Sequence, residues 1–265
     1  MPRLNANLTL LFNEVAFPER FRAAADAGFK AVEFLFPYAW PAEEIKQWLD
    51  EAELELVLFN APPGDWEAGE RGLGCHPDQV DKFKESIGLA LEYAQVLKPR
   101  CLHIMAGLSP KYFAAEEARQ TLLSNLDWAA QCCDEFGVQA LIEPLNLLDN
   151  PGYFLHDFDD AIRLISDLRL MGKAAPKLQF DIYHCAKIYG EVLPWIKKTA
   201  REIKHFQIAD PSQRDEPNPL NLPLSEIFQL IDSDVPGAFV GCEYFPSKGT
   251  LEGLKWTVLY ESTSF

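Results

Sequence analysis

The stretch AEEARQTLLSNLDWAAQCCDEFGVQALIEPL, residues 115–145, contains the repeating unit that decides the fold of this chain. Ala115–Phe136 carries apolar residues at helical spacing, and Gly137 follows as a residue that commonly ends a helix. Val138–Leu145 is then an almost unbroken apolar run, which is typical of a parallel strand covered on both faces. One acid, Glu143, interrupts this run near its end. A helix, a buried strand and a polar residue at the strand's end therefore form one unit.

The same alternation extends in both directions to eight predicted strands and eight predicted helices. The strands are Leu4–Phe12, Ala31–Pro37, Leu54–Asn60, Cys101–Gly107, Val138–Leu145, Lys177–His184, Lys204–Asp210 and Ala238–Phe245. The helices are Pro18–Ala27, Pro41–Glu53, Asp78–Leu97, Ala115–Phe136, Asp157–Leu170, Val192–Ile203, Leu224–Asp232 and Leu251–Tyr260. Such alternation predicts a parallel α/β fold, and eight units favour a (β/α)₈ TIM barrel with a single domain over residues 1–265. An open doubly wound sheet is the alternative.

The composition limits the class of partner. The formal net charge is −16, from 24 basic and 40 acidic side chains. Such a surface repels phosphate backbones and acidic membranes, so we expect no nucleic acid and no membrane as a partner. No apolar run approaches the roughly 18 residues of a membrane span, and we expect no signal peptide. Six cysteines without a C-x-x-C pair indicate reduced thiols and a cytoplasmic protein. A small-molecule substrate remains, and a homo-oligomer is compatible with the sequence.

Each of the last four predicted strands carries one oxygen-bearing side chain near its C-terminal end. In chain order these are Glu143, Asp181, Gln207 and Glu243. Catalytic groups of TIM barrels come from the C-terminal strand ends, so we expect these four side chains to converge. Buried carboxylates are costly unless they are paired or bound to a cation, and oxygen ligands suit Mg²⁺ or Mn²⁺. The sequence therefore predicts a divalent metal site, with four unrelated helix caps or ion pairs as the alternative.

Two polar residues precede predicted metal ligands by two positions. Gln179 precedes Asp181, and His205 precedes Gln207. Side chains two residues apart lie on the same face of a strand, so both are placed to hydrogen-bond a ligand from deeper in the barrel and orient it. The alternative for each is a buried polar group that is satisfied for structural reasons alone.

Four further residues are candidates for binding substrate. His184 begins the loop after the sixth strand, Arg214 lies in the loop after the seventh, Asn60 ends the third, and His103 lies on the fourth. Arg214 is suited to grip a substrate oxygen or carboxylate, and its alternative is a surface ion pair with an adjacent acid. His184 alone would be structural, and Asn60 alone would start a turn. His103 and Glu33 are predicted to face the barrel interior, as core or rim.

A long connection, Ala61–His76, follows the third predicted strand and therefore lies on the C-terminal face of a barrel. Long loops at that face are candidates for an active-site lid. A surface excursion without function is the alternative. The glycines of this connection are not spaced as in a phosphate-binding loop.

Several multiresidue segments resemble the hydroxypyruvate isomerase family, and they run in order through the whole chain. They are AVEFLFPY at 31–38, AGERGL at 68–73, ALEYA at 90–94 and GCEY at 241–244. The wider group of xylose-isomerase-like barrels also includes ketose 3-epimerases and endonuclease IV. The resemblance implies a (β/α)₈ fold and interconversion of hydroxypyruvate with 2-hydroxy-3-oxopropanoate (tartronate semialdehyde) by proton transfer through an enediolate.

The resemblance also implies roles for individual residues. Two family glutamates that donate and accept the proton match Glu143 and Glu243, and the family metal ligands match Glu143, Asp181, Gln207 and Glu243. The segment EPLN at 143–146 departs from the pattern toward the epimerases. The alternatives are therefore an isomerase of a four-carbon oxo acid (2-oxotetronate), a ketose 3-epimerase, and a non-catalytic sugar-acid binding protein. An endonuclease would need more histidines and a basic groove.

Overall fold

The computed structural model describes residues 2–261, and they contain eight parallel strands. The strands are β1 (Arg3–Asn7), β2 (Ala31–Glu33), β3 (Glu55–Asn60), β4 (Cys101–His103), β5 (Gln139–Ile142), β6 (Lys177–Asp181), β7 (Ile203–Ile208) and β8 (Phe239–Cys242). They are hydrogen-bonded in chain order, and β8 pairs with β1, so the sheet is a closed barrel. The predicted (β/α)₈ topology is confirmed, and the open sheet is wrong.

Ten α-helices lie among the described residues. They are α1 (Phe17–Asp26), α2 (Ala42–Glu51), α3 (Val80–Leu97), α4 (Ala115–Glu135), α5 (Phe158–Leu170), α6 (Ile182–Tyr189), α7 (Leu193–Thr199), α8 (Leu224–Asp234), α9 (Thr250–Gly253) and α10 (Lys255–Glu261). A short 3₁₀ helix, Pro77–Gln79, precedes α3. Each predicted helix has a counterpart, although the last one is split at Leu254 into α9 and α10. None of the described helices is long and apolar enough to span a bilayer.

The sixth predicted strand is wrong beyond Asp181, because the chain turns there into the unpredicted helix α6. Asp181 is the N-cap of this helix, and its Oδ1 accepts a hydrogen bond from the Tyr183 backbone N–H at 2.8 Å. Asp is a preferred N-cap residue because its side chain satisfies a helix N–H that has no partner within the helix. His184 therefore lies within a helix and not in a loop. Other strands, such as β2, also end earlier than their apolar runs.

The chain divides into two compact units. Within the described residues, the first unit comprises 2–35, 44–57 and 180–261. It contains an aromatic cluster in which the half-buried ring of Phe17 lies 5.3 Å from that of Phe21 and 5.8 Å from that of Phe34. The register of this unit places Gly241 of β8 opposite both Asn5 of β1 and Gln207 of β7.

The second unit comprises 36–43 and 58–179. Its strands β3, β4 and β5 are in parallel register, with Asn60 opposite His103 and His103 opposite Leu141. Helix α4 packs Leu122 and Leu126 inward, and both are fully buried. β3 and β4 end at the polar residues Asn60 and His103, and Glu143 directly follows β5. This unit therefore has candidate site residues of its own.

The connection Ala61–His76 belongs to the second unit and is anchored in its later half. Gly72 forms a β-bridge with Ala106, and Leu73 and Cys75 are buried. A Cβ at Gly72 would lie 2.5 Å from the Met105 carbonyl oxygen, and the backbone φ of +114° also favours glycine. Residues 64–68 are exposed. The exposed residues thus lie in the earlier part of the connection, where the ring of Trp66 is 5.4 Å from that of Phe36, and the lid stays a proposal.

Candidate active site

A buried carboxylate, Glu33 at the end of β2, receives four hydrogen bonds within the first unit. Its Oε1 accepts from Asn7 Nδ2 at 3.0 Å and from Gln207 Nε2 at 2.8 Å. Its Oε2 accepts from Asn5 Nδ2 at 2.7 Å and from His205 Nε2 at 2.7 Å. Burial alone would raise the pKa of Glu33, but His205 and these donors outweigh it and leave the pKa below its ordinary value. The carboxylate is therefore held in its ionised form.

Glu243, one residue beyond β8, also has both carboxylate oxygens engaged. Its Oε1 accepts a hydrogen bond from Arg214 Nη2 at 3.0 Å. Its Oε2 accepts from Asn7 Nδ2 at 3.1 Å and from Gln207 Nε2 in a short hydrogen bond. Asn7 and Gln207 thus each join Glu243 to Glu33.

The pKa of Glu243 is raised to about 8. Burial is the largest cause, and the nearby negative charges of Asp181 and Glu33 add to it. Arg214 opposes the rise by its positive charge and its hydrogen bond. A carboxyl group with a pKa near neutrality can both take up and release a proton, which suits acid–base work.

Asp181, the last residue of β6, is buried and has one oxygen without a hydrogen bond. Its Oδ1 caps α6, but its Oδ2 accepts no hydrogen bond, and His184 Nε2 lies 3.6 Å away. The pKa of Asp181 is raised to about 6, chiefly by burial, with Glu33 adding to the rise and Arg214 opposing it. A buried carboxylate oxygen without a donor is costly unless a cation approaches it.

The second unit holds Glu143, one residue beyond β5. Its Oε2 accepts a hydrogen bond from Gln179 Nε2 at 2.9 Å, and His103 Nε2 lies 3.7 Å from the same oxygen. Gln179 therefore contacts Glu143, which follows the neighbouring strand β5. Asn60 is buried at the end of β3, and its carbonyl oxygen accepts from the Tyr38 hydroxyl at 2.7 Å. Every predicted site residue of this unit is buried.

The donor set fits a hard divalent cation. Glu143 in the second unit, and Asp181 and His184 in the first, are buried side chains that can each offer one ligand atom to a metal ion. Oxygen atoms dominate the predicted ligand set as well, which suits Mg²⁺ or Mn²⁺. The unsatisfied Asp181 Oδ2 and the raised pKa values of Asp181 and Glu243 indicate an excess of negative charge that a cation would offset.

Arg214 forms an ion pair with Glu243, a residue of the candidate site. Its side chain pairs with Glu243 and is 24% exposed, so it is open to a small ligand. The guanidinium also lies over the ring of Tyr183, 4.9 Å from the centroid. This partner is 29 residues away along the chain, so no local pattern predicts the pair.

Three polar residues of this site are not identified as site residues by the sequence pattern alone. Asn5 and Asn7 lie inside an apolar predicted strand, and the sequence predicts Glu33 only as a core or rim residue. Asn5 and Asn7 alternate along β1 and both donate to Glu33, so they share one face. Their spacing of two residues, which places two polar side chains on one face of a strand, is the sequence signal that could identify them.

Comparisons with known proteins agree with this geometry. The family model for xylose isomerase-like TIM barrels matches residues 21–259. The 2-oxo-tetronate isomerase of Cupriavidus necator is 45% identical over 98% of this chain and 99% of its own length. The hydroxypyruvate isomerase of Escherichia coli is 39% identical over 97% and 98%. A crystal structure described as AP endonuclease, family 2, from Brucella melitensis aligns with a TM-score of 0.93 and 38% identity, covering 98% of this chain and 99% of that one.

Proposed function

Since this chain belongs to the xylose isomerase-like TIM-barrel family and is an isomerase, we propose that its substrate is a short hydroxy-oxo acid. The observation that carries the proposal is the ion pair between Arg214 and Glu243. An oxo acid brings a carboxylate into a protein of net charge −16, so it needs a local cation. Arg214 supplies that cation next to a carboxyl group whose pKa is suited to proton transfer.

Two substrates of this class are proposed. The first is hydroxypyruvate, which would be converted to 2-hydroxy-3-oxopropanoate. The second is 2-oxo-tetronate, which is favoured by the relative that is 45% identical and carries that name. Both acids have a carbonyl next to a carbon that bears hydrogen and hydroxyl, so the same proton transfer serves both.

We propose Glu143 and Glu243 as the proton-transfer pair. One glutamate removes the proton α to the carbonyl, an enediolate forms, and a glutamate returns a proton to the neighbouring carbon. Glu143 is hydrogen-bonded by Gln179 and Glu243 by Arg214, so each carboxylate is held in a defined orientation. His184, Asn60 and His103 are proposed to contact substrate together with Arg214, and His205 to support the ligands from behind.

Glu143, Asp181, Gln207 and Glu243 are proposed to hold a divalent cation, Mg²⁺ or Mn²⁺. Such an ion supplies Lewis-acid polarisation of the carbonyl and stabilises negative charge on oxygen. The Asp181 Oδ2 without a hydrogen-bond donor supports this placement. We further propose a single-domain protein that acts in the cytoplasm, with no nucleic-acid partner at its acidic surface, and that assembles as a homo-oligomer.

Hydrogen exchange tests the reaction directly. The chain is incubated in deuterium oxide with Mg²⁺ or Mn²⁺ and, in separate samples, hydroxypyruvate, 2-oxo-tetronate and a panel of ketoses. Deuterium that enters one of the two acids, together with formation of its isomer, supports the proposal and ranks the substrates. Exchange into a ketose alone would indicate a 3-epimerase instead. No exchange into any compound would overturn an isomerase of these substrates and would favour a binding protein.

A further inference from the structure

A glycine in β8 makes room for the buried carboxylate of Glu33. Asn5, Gly241 and Gln207 lie in one row across three neighbouring strands, with Gly241 in the middle. A Cβ built on Gly241 would lie 2.4 Å from Glu33 Oε1 and 2.5 Å from Oε2. No side chain can therefore occupy position 241 while Glu33 stays in place, and the carboxylate fills the space that the glycine leaves.

We infer that Glu33 is a positioning residue for the proposed metal centre, because it sets which end of the Gln207 amide faces the acids and, through Asn7, where the Glu243 carboxylate lies. Glu33 is not itself a proposed ligand or proton-transfer group. The inference rests on the metal site proposed above. It adds that the geometry of two proposed ligands, Gln207 and Glu243, depends on Glu33 and on the space that Gly241 leaves for it.

The orientation of Gln207 follows from the chemistry of its neighbours. Its Nε2 donates to Glu33 Oε1 at 2.8 Å and to Glu243 Oε2. Glu33 is ionised and therefore only accepts hydrogen bonds, so the amide nitrogen must face it, and the same nitrogen also reaches Glu243. The amide oxygen then points away from them. Only the oxygen of a carboxamide is a ligand for a hard cation, so this orientation decides whether Gln207 can serve as one.

Asn7 transmits the position of Glu33 to Glu243. Its Nδ2 donates to Glu33 Oε1 at 3.0 Å and to Glu243 Oε2 at 3.1 Å. Its Oδ1 accepts from the Thr9 backbone N–H at 3.0 Å, so this amide is anchored at both ends. Without Glu33, both Asn7 and Gln207 would lose one acceptor, and each could rotate. Glu243 would then lose the two donors that hold its Oε2.

Two substitutions remove this arrangement in independent ways. Glu33→Ala deletes the carboxylate, and Gly241→Ala displaces it while leaving every proposed ligand and every charge present. The dissociation constant for Mn²⁺ is measured on the metal-free full chain by the electron paramagnetic resonance of free Mn²⁺. Loss of an outer-shell partner commonly weakens metal binding by about 10–100-fold. We expect a weakening of at least about tenfold for each variant.

The double variant Glu33→Ala/Gly241→Ala separates positioning from general damage. Its Mn²⁺ affinity should equal that of Glu33→Ala, because the added methyl group enters space that the carboxylate has left. Ile196→Val, at a fully buried position of α7, is the control. It should lower the thermal unfolding temperature while keeping the Mn²⁺ dissociation constant within about twofold of the wild type, because it removes only a buried methylene.

Several results would overturn the inference. A Glu33→Ala variant that binds Mn²⁺ as tightly as the wild type would do so. A double variant whose loss of Mn²⁺ affinity is the product of the two single losses would do so as well. If Glu33→Ala does not fold, unchanged affinity in Gly241→Ala overturns it equally. A wild-type chain that binds no Mn²⁺ would overturn the proposed metal centre and this inference with it. Binding that is strong in the wild type and in all variants would overturn the inference alone.

Discussion

Arg214 Nη2 donates a hydrogen bond to Glu243 Oε1 at 3.0 Å, from a backbone that is in the left-handed region with φ of 56°. A non-glycine residue rarely adopts this conformation, which is strained unless the surroundings hold it. The Phe245 N–H donates to the Arg214 carbonyl oxygen at 2.9 Å, so the loop after β7 is tied to the chain just beyond Glu243. The strained backbone at Arg214 thus places its guanidinium group next to the carboxyl group of Glu243, the proposed proton-transfer group.

Replacing Arg214 with Lys should therefore weaken substrate binding. Lysine retains the charge but loses the planar fork that binds a carboxylate through two hydrogen bonds. A hydrogen bond to a charged group is worth about 1.5–3 kcal/mol, so KM for the oxo acid should rise by about 10–100-fold. Steady-state kinetics measure this, with Arg22→Lys in an exposed pair with Asp26 as the control. An unchanged KM would show that Arg214 does not bind the substrate carboxylate.

Glu143→Gln and Glu243→Gln should each depress turnover by about 10²–10⁴-fold, the usual contribution of a positioned acid or base. The amide has nearly the same shape but cannot take up the proton. Circular dichroism should report an intact fold. Glu135→Gln, at an exposed position at the end of α4, is the matched control and should keep full activity. Full activity in both active-site variants would remove the two glutamates from the mechanism.

Removing divalent metal with a chelator should abolish turnover, and Mn²⁺ should restore it. A ligand present at 100 times its Kd stabilises the folded state by about 2.7 kcal/mol. At about 2–4 °C per kcal/mol for a chain near this size, Tm should rise by about 5–10 °C. Differential scanning fluorimetry with and without Mn²⁺ measures the shift. A chelated enzyme with undiminished turnover would contradict the metal requirement.

Asp181→Asn should abolish the Mn²⁺-induced rise in Tm and leave the metal-free protein at least as stable as the wild type. The reason is that Asp181 Oδ2 is a buried carboxylate oxygen without a hydrogen-bond donor, which is costly when no cation is bound. The same fluorimetric measurement compares both proteins after chelation. A clearly lower Tm of the metal-free variant would mean that the carboxylate stabilises the fold and does not serve primarily as a ligand.

The proposed single domain should unfold in one transition. In the closed sheet every strand is hydrogen-bonded to two neighbours, so no strand can leave without breaking two ladders. Circular dichroism and tryptophan fluorescence should therefore give coincident urea unfolding curves. Two separated transitions would contradict a single cooperative domain.

The sequence by itself determined the order and type of nearly every element and the polar residues that end four strands. Apolar periodicity depends on local geometry, so it identified α4 and β5 from residues 115–145 without knowledge of the rest. The same locality explains the errors at element ends. The apolar run 177–184 continues into the first turn of α6, because a buried helix and a buried strand are both apolar, and only the Asp181 cap separates them.

Only the tertiary structure decided which polar groups meet. Glu33 binds His205 from 172 residues away, and Asn7 binds Glu243 from 236 residues away. These partners depend on strand register, which places Asn5 and Gln207 beside Gly241, and no periodicity within one segment encodes it. The positions of the strand ends, which the sequence predicts, indicate which side chains are available for chemistry. The closed sheet determines the donors and charges around each of them and thereby its pKa.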